Sequence, residues 1–92
     1  MKRLEWNPEK SKWLKATRGV NFEDIKKIME SEGSLDTVPN KSKYPNQKIF
    51  VVNVNGYIYF VPFVEDKEKV FLKTLYPNRK ATKKYIGERK RK

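Results

Sequence analysis

Residues 48–64 read KIFVVNVNGYIYFVPFV, two runs of β-branched and aromatic residues parted by Asn55-Gly56. A two-residue hairpin loop that matches strand twist needs positive φ at both central positions, and Asn-Gly meets that need at the least steric cost. The pair therefore predicts a tight hairpin between 48–54 and 57–64. It also fixes the register: Val54 faces Tyr57, Val52 faces Tyr59, Phe50 faces Val61, and Ile49, Val51, Ile58 and Phe60 share the opposite side. A third β-rich run, 69–76, follows the acidic turn Glu65-Asp66-Lys67-Glu68, which extends the hairpin to an antiparallel meander. A four-residue second turn sets Thr74 and Tyr76 beside Tyr59 and Tyr57, on the face that carries Lys48. The expectation is that the aliphatic, Phe-rich face packs on helices while the other presents Tyr, Thr and Lys. Pro62 lacks an N–H, so a bulge or lost pairing is expected near it.

The segments before the meander carry helix signals. Asn7-Pro8-Glu9 combines an Asn cap, Pro at the first helical position and an acid at the positive dipole end, which predicts a helix over 8–17 closed by Gly19. Asn21 with Asp24 three residues on opens a second, whose Phe22, Ile25, Ile28 and Met29 recur at helical spacing and which ends near Glu32-Gly33. Residues 35–39 read as a short edge strand and 40–46 as a polar loop broken by Pro45. Asn78 caps a short carboxy-terminal helix stopped by Gly87, and residues 88–92 read as a fraying basic tail. The whole is one small α+β domain, 1–87: two helices, a three-to-four-stranded antiparallel sheet and a terminal helix.

Composition narrows the chemistry. The 92 residues include no Cys and no His, which removes disulfides, thiolate nucleophiles, sulfur-based zinc sites and the usual general base near neutral pH. The crowded acids Glu65, Asp66 and Glu68 have their ordinary account as a soluble hairpin tip, so no metal and no cofactor is expected. Two amino-terminal cations are followed by no apolar stretch, and no window has the length of a membrane span, so the expected place is the cytoplasm, with no membrane partner.

The net charge of +11 is uneven: residues 1–20 hold six cations and two anions, residues 21–72 seven and eight, residues 73–92 nine and one. Basic ends around a neutral middle describe either a solvated surface or, if the fold joins them, one electropositive face for a phosphate backbone. Cations interleaved with aromatics favour RNA, because rings offer surfaces for unstacked bases. The constellation is Tyr57, Tyr59, Tyr76, Lys48, Lys73, Arg79 and Lys80, with Lys83 and Lys84 along the same helix; for Tyr57 and Tyr59 the plain alternative is cross-strand packing. RNA cleavage without His or metal is chemically open. The 2′-hydroxyl is the nucleophile, so a protein needs to orient it, assist its deprotonation through Lys or Tyr, and stabilise the phosphate charge with Arg or Lys.

Three stretches carry a resemblance: Leu4-Glu5-Trp6-Asn7-Pro8-Glu9-Lys10, Arg18-Gly19-Val20-Asn21-Phe22-Glu23-Asp24 and Arg79-Lys80-Ala81-Thr82. In order and spacing they resemble the BrnT family of bacterial toxins, a branch of the RelE-like ribonucleases. The resemblance implies a RelE-like fold with a short first strand before the helices, metal-independent endoribonuclease activity that halts translation in a type II toxin-antitoxin system, and neutralisation by a BrnA-like ribbon-helix-helix antitoxin that binds operator DNA. It assigns Arg79 to the family's Ser-Ala-Arg-x-Ala-Thr signature, with Pro77-Asn78 in place of Ser-Ala. Lys48 stands where the family has a strand arginine, and Arg18 where it often has His. Arg79 and Lys48 are thus expected to hold the scissile phosphate, Arg18 to add positive potential, and Tyr57 or Tyr76 to stack. The alternative is a basic nucleic-acid-binding module without catalysis.

Overall fold

The structure is a computed structural model that describes residues 2–40 and 47–87. The sequence-read loop beyond Asn40 and the tail at 88–92 lie outside the described residues. Element order is β1 (Arg3–Glu5), α1 (Pro8–Arg18), α2 (Phe22–Ser31), β2 (Asp36–Pro39), β3 (Lys48–Val54), β4 (Tyr57–Glu65), β5 (Lys69–Leu72), β6 (Tyr76–Pro77) and α3 (Arg79–Thr82), which continues as a π-helical turn, Lys83–Gly87. The chain is α+β, as expected. Among the described residues no helix is long and apolar enough to cross a membrane.

Local signals account for most of these boundaries. The Asn7 side chain accepts from the N–H groups of Glu9 and Lys10, Pro8 opens α1, and Gly19 closes it at φ 81°. The Asn21–Asp24 capping box forms in both directions at the start of α2. Asn55 adopts φ 52° and Gly56 φ 90°, so the hairpin turn has the positive-φ pair its sequence requires. Val54 pairs with Tyr57, Val52 with Tyr59 and Phe50 with Val61, the register read from the turn.

The sheet runs β1-β5-β4-β3-β2, with β6 also on β4, and it is mixed: β1 joins β5 in parallel, Leu4 opposite Val70. This departs from the antiparallel sheet expected, because a crossover through both helices returns the chain to the sheet's far edge. The second hairpin departs too. Asp66 accepts from the N–H groups of Glu68 and Lys69 and tightens the turn, so Val64 pairs with Phe71 and Phe63 with Leu72. Pairing then breaks at Pro62, as its missing N–H dictates. Lys73 N–H donates to the Pro62 carbonyl at 2.8 Å, Leu75 turns into the core, and pairing resumes with Phe60 opposite Tyr76. Three residues of one chain segment oppose two of the other, and this bulge reverses the side on which Tyr76 emerges.

Helices pack on both sheet faces, on the second over a patch alone, and in the reverse of the expected assignment. Helices α1 and α2 lie on the face of Phe50, Val52, Val54, Tyr59, Val61 and Phe63, closed by Leu14, Phe22 and Ile25. That face is the larger apolar surface: it adds Val70, Leu72 and Leu75, and Phe50 stacks on Phe63 with centroids 3.9 Å apart. Two helices are needed to seal it, each buried Phe or Leu contributing on the order of 1.5–3 kcal/mol. The opposite face offers only a patch of Val51 and Ile58, which α3 and the π-helical turn cover with Ala81, Tyr85 and Ile86.

Candidate nucleic-acid interface

The carboxy-terminal segment is held to the sheet by a short chain of hydrogen bonds. Asn78 N–H donates to the Ile58 carbonyl at 2.9 Å, Ile58 N–H donates to Thr82 Oγ1 at 2.9 Å, and Thr82 Oγ1 donates to the Asn78 carbonyl at 2.8 Å. The Asn78 side chain accepts from the Ala81 N–H at 2.7 Å. A strand N–H left open where β6 ends at Pro77 is thereby satisfied by a helix hydroxyl, and the small Ala81 lets the helix approach closely. At the far end the Tyr85 hydroxyl donates to Asp36 Oδ2 of β2 at 3.0 Å. Burial, then this bond to a carboxylate, raises the Tyr85 phenol above its ordinary 10.0.

This anchoring turns Arg79, Lys80, Lys83 and Lys84 outward, and all four are exposed. From Val70 to Gly87 the chain has five cations, the fifth being Lys73, and no carboxylate. Among the described residues none of the five forms an ion pair. Lys84 Nζ lies 5.4 Å from the Tyr85 ring, and Lys73 Nζ 5.4 Å from the Phe71 ring. Five cations of the earlier chain, by contrast, are compensated: Lys2 meets Glu65 at 2.7 Å, Lys15 meets Asp24 at 3.0 Å, Arg3 and Lys69 meet Glu5, and Lys26 meets Glu30.

The remaining sequence-read residues do not join this group. Lys48 is exposed at the start of β3, on the strand face of Phe50 and Val52, and its field helps hold Glu65 below the usual carboxylate range, after the larger effect of the Lys2 hydrogen bond. Arg79 opens the helix on the other face, so the two do not converge on one phosphate. Arg18 is exposed at the end of α1, on Lys48's side of the sheet. Tyr59 packs into the core beneath the helices, and Tyr57 stands exposed beside it with ring centroids 6.2 Å apart. Tyr76 is on the other face against Phe60, centroids 5.9 Å apart. The two basic ends of the chain therefore flank the sheet from opposite sides.

The group that does assemble is Lys73, Tyr76, Arg79, Lys80, Lys83 and Lys84, from one segment of chain. Sequence reading missed Phe71 beside Lys73, whose alternation with Lys69 and Lys73 was the available signal. It also missed Thr82 as the residue that seats the helix. Among the described residues no group of three or more Asp or Glu side chains is arranged to hold a metal ion. Comparison with protein-family models, with curated proteins and with solved structures finds no match to this chain.

Proposed function

We propose that this chain binds RNA through the surface that runs from Lys73 to Lys84. One observation carries the reading: five cations without an acidic partner stand on the outer side of a segment whose inner side is fixed to the sheet. An uncompensated, positioned row of charge is what a phosphate backbone rewards, since binding releases the counterions condensed on it. Arg79 is the best placed of the five for a bidentate phosphate contact, because the Asn78 cap and Thr82 hold its helix start while its guanidinium is free.

Cleavage is the second reading. It draws on the resemblance to the BrnT toxins and on Arg79, the signature arginine, having no carboxylate partner. In that reading Arg79 alone stabilises the phosphate charge, Tyr76 is the nearest candidate to orient the ribose, and a BrnA-like antitoxin masks the surface in the cytoplasm. The separation of Lys48 from Arg79 favours binding as the primary function. Incubating the pure protein with labelled RNA in EDTA tests both. Retention without cleavage is the expected result, cleavage that Arg79→Ala abolishes would establish the toxin reading, and no retention at low salt would end both.

A further inference from the structure

Among the described residues the second sheet face is only partly covered. Asn78 and Thr82 pin α3 at Ile58, near the hairpin end of β4, and the π-helical turn runs on toward β2. Val64 lies six residues further along β4, roughly 20 Å at the strand rise, where β5 and then β1 continue the sheet and Glu5 of β1, paired with Arg3 and Lys69, stands opposite Phe71. There Phe71 stands opposite Val64. It is the one phenylalanine of the chain's five that joins neither hydrophobic cluster, and it is half-buried. Tyr76, half-buried and equally outside both clusters, emerges on the same face, because the bulge sets it opposite Phe60. Lys73 joins the two in sequence, its ammonium 5.4 Å from the centre of the Phe71 ring.

We propose that this open half-face is a stacking platform for the bases of single-stranded RNA, with Phe71 and Tyr76 as the rings and Lys73 as the phosphate contact between them. The proposal rests on the RNA reading of the Lys73 to Lys84 surface and names the form of RNA it takes. Charge identifies the occupant: Glu5 beside Phe71 is already offset by Arg3 and Lys69, and toward the carboxy terminus the platform continues into cations that form no ion pair among the described residues. Ring geometry identifies the form. Bases in a duplex are stacked on one another and cannot lie on a protein ring, whereas unpaired bases can, whatever their sequence.

The test is fluorescence anisotropy with a short fluorescein-labelled oligoribonucleotide, free and annealed to its complement. Phe71→Ala is expected to weaken single-strand binding roughly tenfold and duplex binding less than about twofold, and Phe71→Trp to retain the parent's single-strand affinity. A urea midpoint within error of the parent's is expected for both variants, since Phe71 is outside both clusters. Equal losses on the two RNA forms, or an unchanged single-strand affinity in Phe71→Ala, would overturn the platform while leaving the phosphate reading standing. A parent chain that binds neither form would reject the phosphate reading and the platform with it. Displacement of RNA by polyglutamate at matched charge concentration would also overturn it, marking the face as a site for an acidic protein.

Discussion

The two faces of the sheet divide the labour of this domain. On the first, α1 and α2 seal a core that includes fully buried Leu14, Phe22 and Ile25, and Lys2, Lys15 and Lys26 around it meet carboxylates. On the second, nine residues of helical chain cover a small patch, and among the described residues no cation of the segment is in an ion pair. Exposed ion pairs contribute little to stability, commonly below about 1 kcal/mol, but they cancel the field. On the second face, residues 70–87 add five cations and no carboxylate to offset them. The contrast teaches that net charge alone was a poor guide to the interface: what matters is where charge stays uncompensated.

The largest expected contrast between the faces is in stability. Phe63→Ala, which empties a stacked and buried site on the first face, should lower unfolding free energy by about 3–5 kcal/mol, whereas Phe71→Ala on the second should cost less than about 1 kcal/mol. Urea denaturation of the two variants measures the difference, and equal losses would show that the second face is as much core as the first.

Next is the seat of the carboxy-terminal helix. Thr82→Val keeps the shape but leaves the Ile58 N–H without its acceptor, at a cost of about 1–3 kcal/mol. The loss should be local, so amide exchange at Ile58 accelerates roughly tenfold or more while exchange at Ile25 in α2 is unchanged. Acceleration at both sites would mean that the faces unfold as one unit.

A smaller effect belongs to single phosphate contacts. Arg79→Ala should weaken single-stranded RNA binding several-fold and make the slope of log affinity against log salt shallower by about 0.7, the share of one contact. A slope that does not change would remove Arg79 from the phosphate-binding group.

The smallest contrast is in pH, where the faces should respond at opposite ends of the scale. Burial pushes Asp24 upward, but the Asn21 N–H and the Lys15 ammonium outweigh it and leave the carboxyl below its ordinary 3.8. Its contribution to the α1–α2 junction is therefore present above that value and lost as pH falls through the lowered one. Tyr85 is raised, so its contribution is complete below 10.0 and lost as pH climbs through the higher folded value. Alkaline titration followed by tyrosine absorbance should show the carboxy-terminal segment loosening late in the parent and without that pH dependence in Tyr85→Phe.

How much of this was legible in the sequence follows the range of the forces involved. Asn7-Pro8, the Asn21–Asp24 box and Asn55-Gly56 act within four residues, and each produced the element and boundary it signals. The bulge at Pro62 was legible as a missing donor, but the extra residue it admits was not, and that residue sends Tyr76 to the other face. Which face the helices cover was hidden because both are apolar: it was decided by total area, including Leu72 and Leu75 from a later segment. The parallel pairing of β1 with β5 joins residues more than sixty apart and leaves no local mark. Of the candidate site, the basic segment from Lys73 onward was legible from composition. Its separation from Lys48 and Arg18 depends on the fold alone.

The central claim is that uncompensated charge on the second face, not the net charge of the molecule, binds RNA. Two double charge reversals test it most directly at one ionic strength: Lys80→Glu with Lys83→Glu on the carboxy-terminal segment, and Lys12→Glu with Lys27→Glu on the amino-terminal helices. Both change net charge equally. The account expects the first pair to abolish retention of single-stranded RNA and the second to leave its affinity within about threefold, the residual effect of long-range attraction. Equal losses from the two pairs would contradict it.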